Sequence, residues 1–207
     1  MRNSVRVVFL SVAAIAAASR SVWAATDAVN TNTVAPTLQV SVTVQKAIRL
    51  TLSTGTSGTT CTVNAASDYS MNFGNVDALG INTPCGAKFD PTTPGTSPAA
   101  YYTDYRLTPT FTNQAGTSAT VTAYVSADFA TLSNVLSIVQ ANSTPASIAA
   151  LTAMSTSSGS PTAVGAALAN GTAVTRYVGV QVLPTNSSGS PVSGSDSATI
   201  TYTMTVP

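Results

Sequence analysis

The sequence predicts an all-β antiparallel sandwich, and three observations carry that expectation. Residues that favour pleated surfaces, above all Val and Thr, recur throughout, whereas Glu is absent and Lys occurs only at Lys46 and Lys88, so exposed helix lacks its usual formers. Hydrophobic side chains alternate with polar ones at period two in several separate runs. Those runs are divided by turn segments rich in Gly, Pro, Ser and Asn. The count comes to about seven to nine short strands, with one short helix, and no repeat at fixed spacing suggests a solenoid or propeller.

The chain opens with an export signal. Arg2 and Arg6 precede the apolar core Val7 to Ala18, and Val22-Trp23-Ala24 sets small residues where a signal peptidase needs them, so residues 1–24 are expected to be removed. The apolar core is too short to span a bilayer, and Arg20 closes it. Residues 25–36 show no periodicity and end in Pro, as a flexible leader would. Then comes the clearest strand pattern of the chain, Thr37 to Leu52. Leu38, Val40, Val42 and Val44 share one face, Lys46 interrupts, and Ile48, Leu50 and Leu52 resume the phase. The break predicts a division into an exchangeable segment, 37–46, and a sandwich domain, 47–207, whose first strand holds Ile48 to Leu52.

After a Ser/Thr/Gly turn at 53–60, Tyr69, Met71 and Phe73 alternate up to Gly74 and predict a short strand. Residues 75–83 are turn-like. Pro91, Pro94 and Pro98 mark 87–100 as a loop, because Pro cannot donate to a central ladder. Tyr105 to Thr112 is expected as a strand, with Pro109 implying an edge or a bulge. Asn113 to Gly116 reads as a hairpin turn into Ala119 to Ser126, and Val135 to Gln140 is a further strand. Thr144-Pro145, with Ile148 and Leu151 following, has the cap and spacing of one short helix. Residues 155–161 read as loop. Ala173 to Leu183 alternates cleanly, with Arg176 in the aliphatic phase at the strand's rim. Ala198, Ile200, Tyr202, Met204 and Val206 share one face of the closing strand.

Charge and chemistry narrow the function. Without Arg2, Arg6 and Arg20, five basic residues face seven Asp, a net charge near −2. So weak a field suits neither nucleic-acid binding nor electrostatic docking on membranes, and no later stretch is apolar enough for stable membrane insertion. With no His and no Glu there is no Ser-His-Asp or Cys-His pair and no Glu-based glycosidase pair. Asp68, Asp77, Asp90 and Asp104 lie beside turn residues, where Asp ordinarily serves the backbone. No calcium loop, phosphate loop or dinucleotide motif is present, so neither a catalytic residue, a metal site nor a cofactor is expected. Cys61 and Cys85, an isolated pair in an exported chain, are expected to form a disulfide; two sulfurs without His make a poor zinc site. Tyr101, Tyr102, Tyr105, Tyr124 and Tyr177 read as core or cross-strand partners before they read as a carbohydrate platform. Asn142, Asn170 and Asn186 begin Asn-x-Ser/Thr triplets that matter only in a glycosylating host.

Read in order, the alternating strand at Leu38 to Val44, Cys61-Thr62-Val63, Asn72-Phe73-Gly74 with Val76, Cys85, and the end strand Ala198 to Val206 form a recognisable series. It resembles the spore-coat-U domain, the fold of subunits in archaic chaperone–usher pili. The stretch from about Val135 to Gly171 lacks that family's aromatic strand pattern, and Ser195-Asp196-Ser197 replaces its usual lead-in to the last strand. The resemblance implies an immunoglobulin-like sandwich, pilin-type, that lacks one strand and is completed by a donor strand from a neighbour, here Leu38, Val40, Val42 and Val44. It implies identical or related subunits as partners in a head-to-tail polymer. A periplasmic chaperone and an outer-membrane usher would serve in transit, with the periplasm and then the cell surface as location. The alternative is a self-complete secreted binding module, in which 37–52 pairs within its own sheet and loops 87–104 or 141–172 meet a ligand.

Overall fold

The computed structural model describes residues 39–56, 61, 70–112, 116–185 and 192–207. The chain divides into two units, Met1–Thr43 and Val44–Pro207. Of the first, residues 39–43 are described; they carry no regular structure and are exposed. The segments expected as signal and leader, 1–24 and 25–36, lie outside the described residues.

The second unit is an all-β antiparallel sandwich. Its strands are β1 (Ala47–Thr54), β2 (Ala87–Phe89), β3 (Ala99–Thr112), β4 (Ser118–Ala127), β5 (Leu136–Ala141), β6 (Thr152–Ala153), β7 (Thr162–Ala169), β8 (Val174–Val182) and β9 (Thr199–Thr205). One sheet runs β1-β3-β8-β5-β6, with β2 added to β3; the other runs β7-β4-β9. β3 is the spine of the larger sheet. Ala47 to Thr54 pair with Thr112 to Tyr105 on one side, and Ala99 to Leu107 pair with Val182 to Val174 on the other.

Tyr105, Leu107 and Phe111 of β3 meet Val121, Ala123 and Val125 of β4 and Val164 and Leu168 of β7 between the sheets. Ala99, Tyr101, Val180 and Val182 continue this interior toward Phe129, Leu132 and Val135 in the β4–β5 connection. On the other face of the larger sheet Ala100, Val139, Ala141 and Leu151 form a small cluster. The two sheets therefore pack face to face with their ends matched. At one end lie Ala99, Val182, Leu136, Ala127 and Thr199; at the other lie Ala47, Thr112, Ser118 and Thr205. We call these the Asp196 end and the Ala47 end.

Several sequence expectations are corrected. The Tyr69–Gly74 run is not a strand: Tyr69 lies outside the described residues, and among the rest only Asn72 makes an isolated bridge. Met71 and Phe73 point at the interior from an irregular segment, which produces the same alternation without a ladder. The loop at 87–100 contains β2 and ends at Pro98, because β3 starts at Ala99 directly after the last proline. Pro109 does not mark an edge strand. β3 is central, and Pro109 lies beyond Leu107, where pairing with β8 has ended, so no donor is missed on that side. β3 and β4 do not form a hairpin, because they belong to different sheets; the turn expected there, Asn113 to Gly116, lies outside the described residues except for Gly116. No α-helix follows Thr144. Its hydroxyl meets Tyr177 Oη at 2.8 Å, and only a 3-10 turn, Ile148–Ala150, forms after an extended Ser147. β7 has no counterpart among the sequence expectations.

Candidate functional site

In the second unit a cleft of about 670 Å³ opens between the larger sheet and the β9 side of the smaller one. Leu136 and Ile138 of β5, Val178 and Val180 of β8, and Leu52 of β1 line its floor. Ala198, Ile200 and Tyr202 of the last strand line one wall, and Met71, Phe73 and Val76 the other. The wall at Ala198–Tyr202 follows from period two: even-numbered residues of β9 face inward, and Thr199, Thr201, Thr203 and Thr205 face out. Among the described residues β9 pairs only with β4, and no strand pairs with its other edge. The cleft therefore joins an apolar trough to a sheet edge, the combination that accepts an extended chain with alternating side chains.

Both walls are fixed by polar groups. On the Met71–Val76 side, Cys61 and Cys85 are disulfide-bonded with Cα atoms 5.1 Å apart, and the Cys85 N–H donates to the Phe73 carbonyl at 3.1 Å. The Gly74 N–H donates to Asn72 Oδ1 at 2.9 Å, and Gly74 takes φ +75°, a conformation suited to Gly. Just beyond, the Asp77 carboxylate accepts from the N–H groups of Leu79 (2.8 Å), Ile81 (3.1 Å) and Asn82 (2.7 Å). Partial burial pushes the Asp77 carboxyl up, but the N–H groups of Asn82, Ile81 and Leu79 outweigh it and hold the group below its ordinary value. Tyr101 Oη donates to the Asp77 carbonyl at 2.7 Å, tying this turn to β3. Burial raises the Tyr101 phenol.

On the β9 side, one Asp196 oxygen accepts from the Thr131 N–H (2.7 Å), the Thr131 hydroxyl (3.0 Å) and the Leu132 N–H (3.0 Å), and the other accepts from the Ser197 N–H (2.8 Å). The Thr131 N–H leads the groups that hold this carboxyl far below the usual carboxylate range. Asp196 thereby fastens the lead-in of β9 to the β4–β5 connection.

Leu38 lies outside the described residues; Val40, Val42 and Val44 are 78%, 82% and 69% exposed. Regular pairing starts at Ala47, one residue after Lys46. Asp68 lies outside the described residues. Asp77 serves a turn, and Asp90 is paired with Lys88 at 2.8 Å, which raises the Lys88 ammonium. Asp104 differs from its sequence reading: it is 1% exposed within β3, and the Thr56 N–H donates to its Oδ2 at 2.8 Å. Tyr101 and Tyr105 are core; Phe89 stacks on Tyr102 at 5.0 Å between ring centroids, and Tyr177 meets Tyr102 edge-on. Asn170 is fully engaged by the backbone, accepting from the Phe111 N–H (2.9 Å) and donating to the Phe111 carbonyl (2.8 Å).

No group of three or more His, Cys, Asp or Glu that could hold a metal exists among the described residues, and none of their helices is long and apolar enough to cross a membrane. Sequence reasoning expected a missing strand but did not find which residues line the cleft, nor the role of Asp196. The only signals were Asp followed by Ser at the start of the last strand, and Met71, Phe73 and Val76 without a strand to hold them. No family model, curated protein or solved structure matches this chain.

Proposed function

We propose that this protein is an exported structural subunit that assembles with copies of itself by strand addition. Residues 38–44 of one copy would occupy the cleft beside β9 of the next. One observation carries the reading: an apolar trough lies beside a sheet edge in a chain that also presents exposed alternating aliphatics just ahead of β1. Backbone pairing along β9 gives length-wise affinity, and alternate side chains enter the trough. At about 1.5–3 kcal/mol per fully buried aliphatic, four such residues contribute on the order of 6–12 kcal/mol before the ordering entropy of the segment is subtracted. A contact of this type does not close on itself, so copies propagate as a fibre.

The resemblance to the spore-coat-U domain extends the proposal to a pilus or coat on the cell surface, with a periplasmic chaperone and an outer-membrane usher as partners. Until a strand covers it, the trough and the β9 edge are an aggregation hazard, which gives such a chaperone its task. Val40→Asp with Val42→Asp in the mature chain tests the reading. The parent should form SDS-resistant ladders and fibres, and the variant should stay a folded monomer. A variant that polymerises like the parent removes 38–44 as the donor.

A second reading, a self-complete binding module, draws on the partly exposed aromatic group Phe89, Tyr102 and Tyr177 beside the 142–151 loop. A parent chain that stays monomeric at high concentration, and whose tyrosine fluorescence changes on adding oligosaccharides, would favour it.

A further inference from the structure

Among the described residues of the sandwich, the charges are sorted by end. Asp77, Asp90, Asp128 and Asp196 all lie at the Asp196 end: Asp128 follows the last residue of β4, Asp90 follows β2 beside Ala99, and Asp77 is bonded to Tyr101. Lys88, the basic residue there, is already paired with Asp90. At the opposite end the exposed charges are Lys46, just ahead of β1, and Arg49, opposite Thr110. Asp104, Arg106 and Arg176 occupy the middle of β3 and β8. Each end is thus dominated by one sign. The acidic end also presents apolar side chains: Leu79 and Ile81 are exposed on the turn that Asp77 locks.

We propose that the Asp196 end is a docking surface for the Lys46–Arg49 end of a second copy of this chain, and that this match of charge sets the order in which copies stack. The inference rests on the strand-addition reading and names what that reading leaves open. β9 runs from Thr199 at the acidic end to Thr205 at the basic end. A segment lying antiparallel to β9 would emerge from the cleft at the acidic end with its Lys46, and the body that follows would meet Asp77, Asp90, Asp128 and Asp196 with its own basic face. A parallel segment would emerge at the basic end and set Lys46 and Arg49 of one copy against those of the other. Like charges so placed repel and opposite charges accelerate encounter, so only the first arrangement is favoured at long range. Leu79 and Ile81 then find an apolar partner in Ile48, which is exposed between Lys46 and Arg49.

Two charge-reversed chains test this. Lys46→Asp with Arg49→Asp makes both ends acidic, and Asp90→Lys with Asp128→Lys makes both ends basic; Asp77 and Asp196 are left in place because they hold backbone turns. Light scattering at low ionic strength, with circular dichroism to verify the fold, should show each variant assembling about tenfold or more slowly than the parent. An equimolar mixture of the two should recover the parent rate by forming an alternating copolymer. The parent's own rate should fall as salt is raised through the range where the Debye length drops from about 30 to about 8 Å, a measurement that needs no variant. Parent kinetics indifferent to salt, variants as fast as the parent, or a mixture as slow as its components would each overturn the charge match while leaving strand addition standing. A parent chain that stays monomeric at every salt concentration removes strand addition and the charge match together.

Discussion

The two ends of the sandwich are built differently. From mid-strand toward the Ala47 end the layers meet through fully buried side chains, Leu107, Val121 and Val164 among them, and chain beyond the strands is stitched to them by backbone bonds; at the other end Tyr101 is as fully enclosed, but it lies beside an opening. The Gly116 N–H reaches the Pro207 carbonyl at 2.7 Å, the Gly171 N–H reaches Pro109 at 2.8 Å, and Asn170 takes both backbone groups of Phe111. At the Asp196 end the layers part around the cleft, and its walls are held from outside by a disulfide and two carboxylates. The difference separates two tasks. The closed end is filled by its own side chains; the other leaves apolar surface open and fixes its shape with polar groups that do not fill it.

That contrast can be broken, first by cavity creation. Leu107→Ala at the closed end should cost about 3–5 kcal/mol in denaturant unfolding, because the site is fully enclosed. Ile138→Ala on the cleft floor should cost the isolated subunit about 1–2 kcal/mol, since its partners cover it on one side only. Equal losses would mean that the cleft is no less closed than the core. Next in size, replacing both Cys61 and Cys85 by Ser should lower stability by about 3–4 kcal/mol through the freed loop entropy. The same change should weaken uptake of a synthetic peptide of residues 37–46, which isothermal titration would report; unchanged uptake would show that the wall keeps its shape without the disulfide.

Asn170→Ala leaves the Phe111 N–H and carbonyl without their partner and should cost about 1–3 kcal/mol at the closed end, with peptide uptake unaltered. The smallest effect is a pH dependence at the open end. Asp77 and Asp196 both titrate below 3.8 in the folded chain. Each therefore contributes stability that is fully present above that value and is lost as pH falls through the lower folded value. Melting temperatures of the parent between pH 5 and pH 2 should decline more steeply than those of Asp77→Asn with Asp196→Asn. Parallel curves would show that other carboxylates govern the acid limb.

How much of this could be read in the sequence varies from strand to strand. β4 and β9 were legible because each has one face in the interior and one toward solvent, and β8 because its interior aliphatics alternate with polar or small residues on the other face. β3 was read only in its second half. Its first half is buried on both faces, so Ala100 and Tyr101 carry no alternation to detect. β7 was missed for a different reason: its register against β4 shifts twice, between the partners of Ala119, Val121 and Thr122, and Ala167 takes φ 52°, so period two is broken in a run of small residues. Leu168 also folds over Gly165, where a Cβ would strike it.

The composition and the period-two runs determined the all-β class, the cysteine pairing, the closing strand with its inward Ala198, Ile200, Tyr202, Met204 and Val206, and the start of regular pairing just past Lys46. Those properties are local: a side chain's phase in a strand and two sulfurs in one short loop need no knowledge of what lies opposite. Only the tertiary structure decided that β3 and β4 part into different layers, that the layers separate beside β9 to leave a cleft, and that Asp77 and Asp196 brace its walls. Each of these depends on which strands become neighbours, and strand order follows from the summed burial of distant segments, which no single stretch of sequence records.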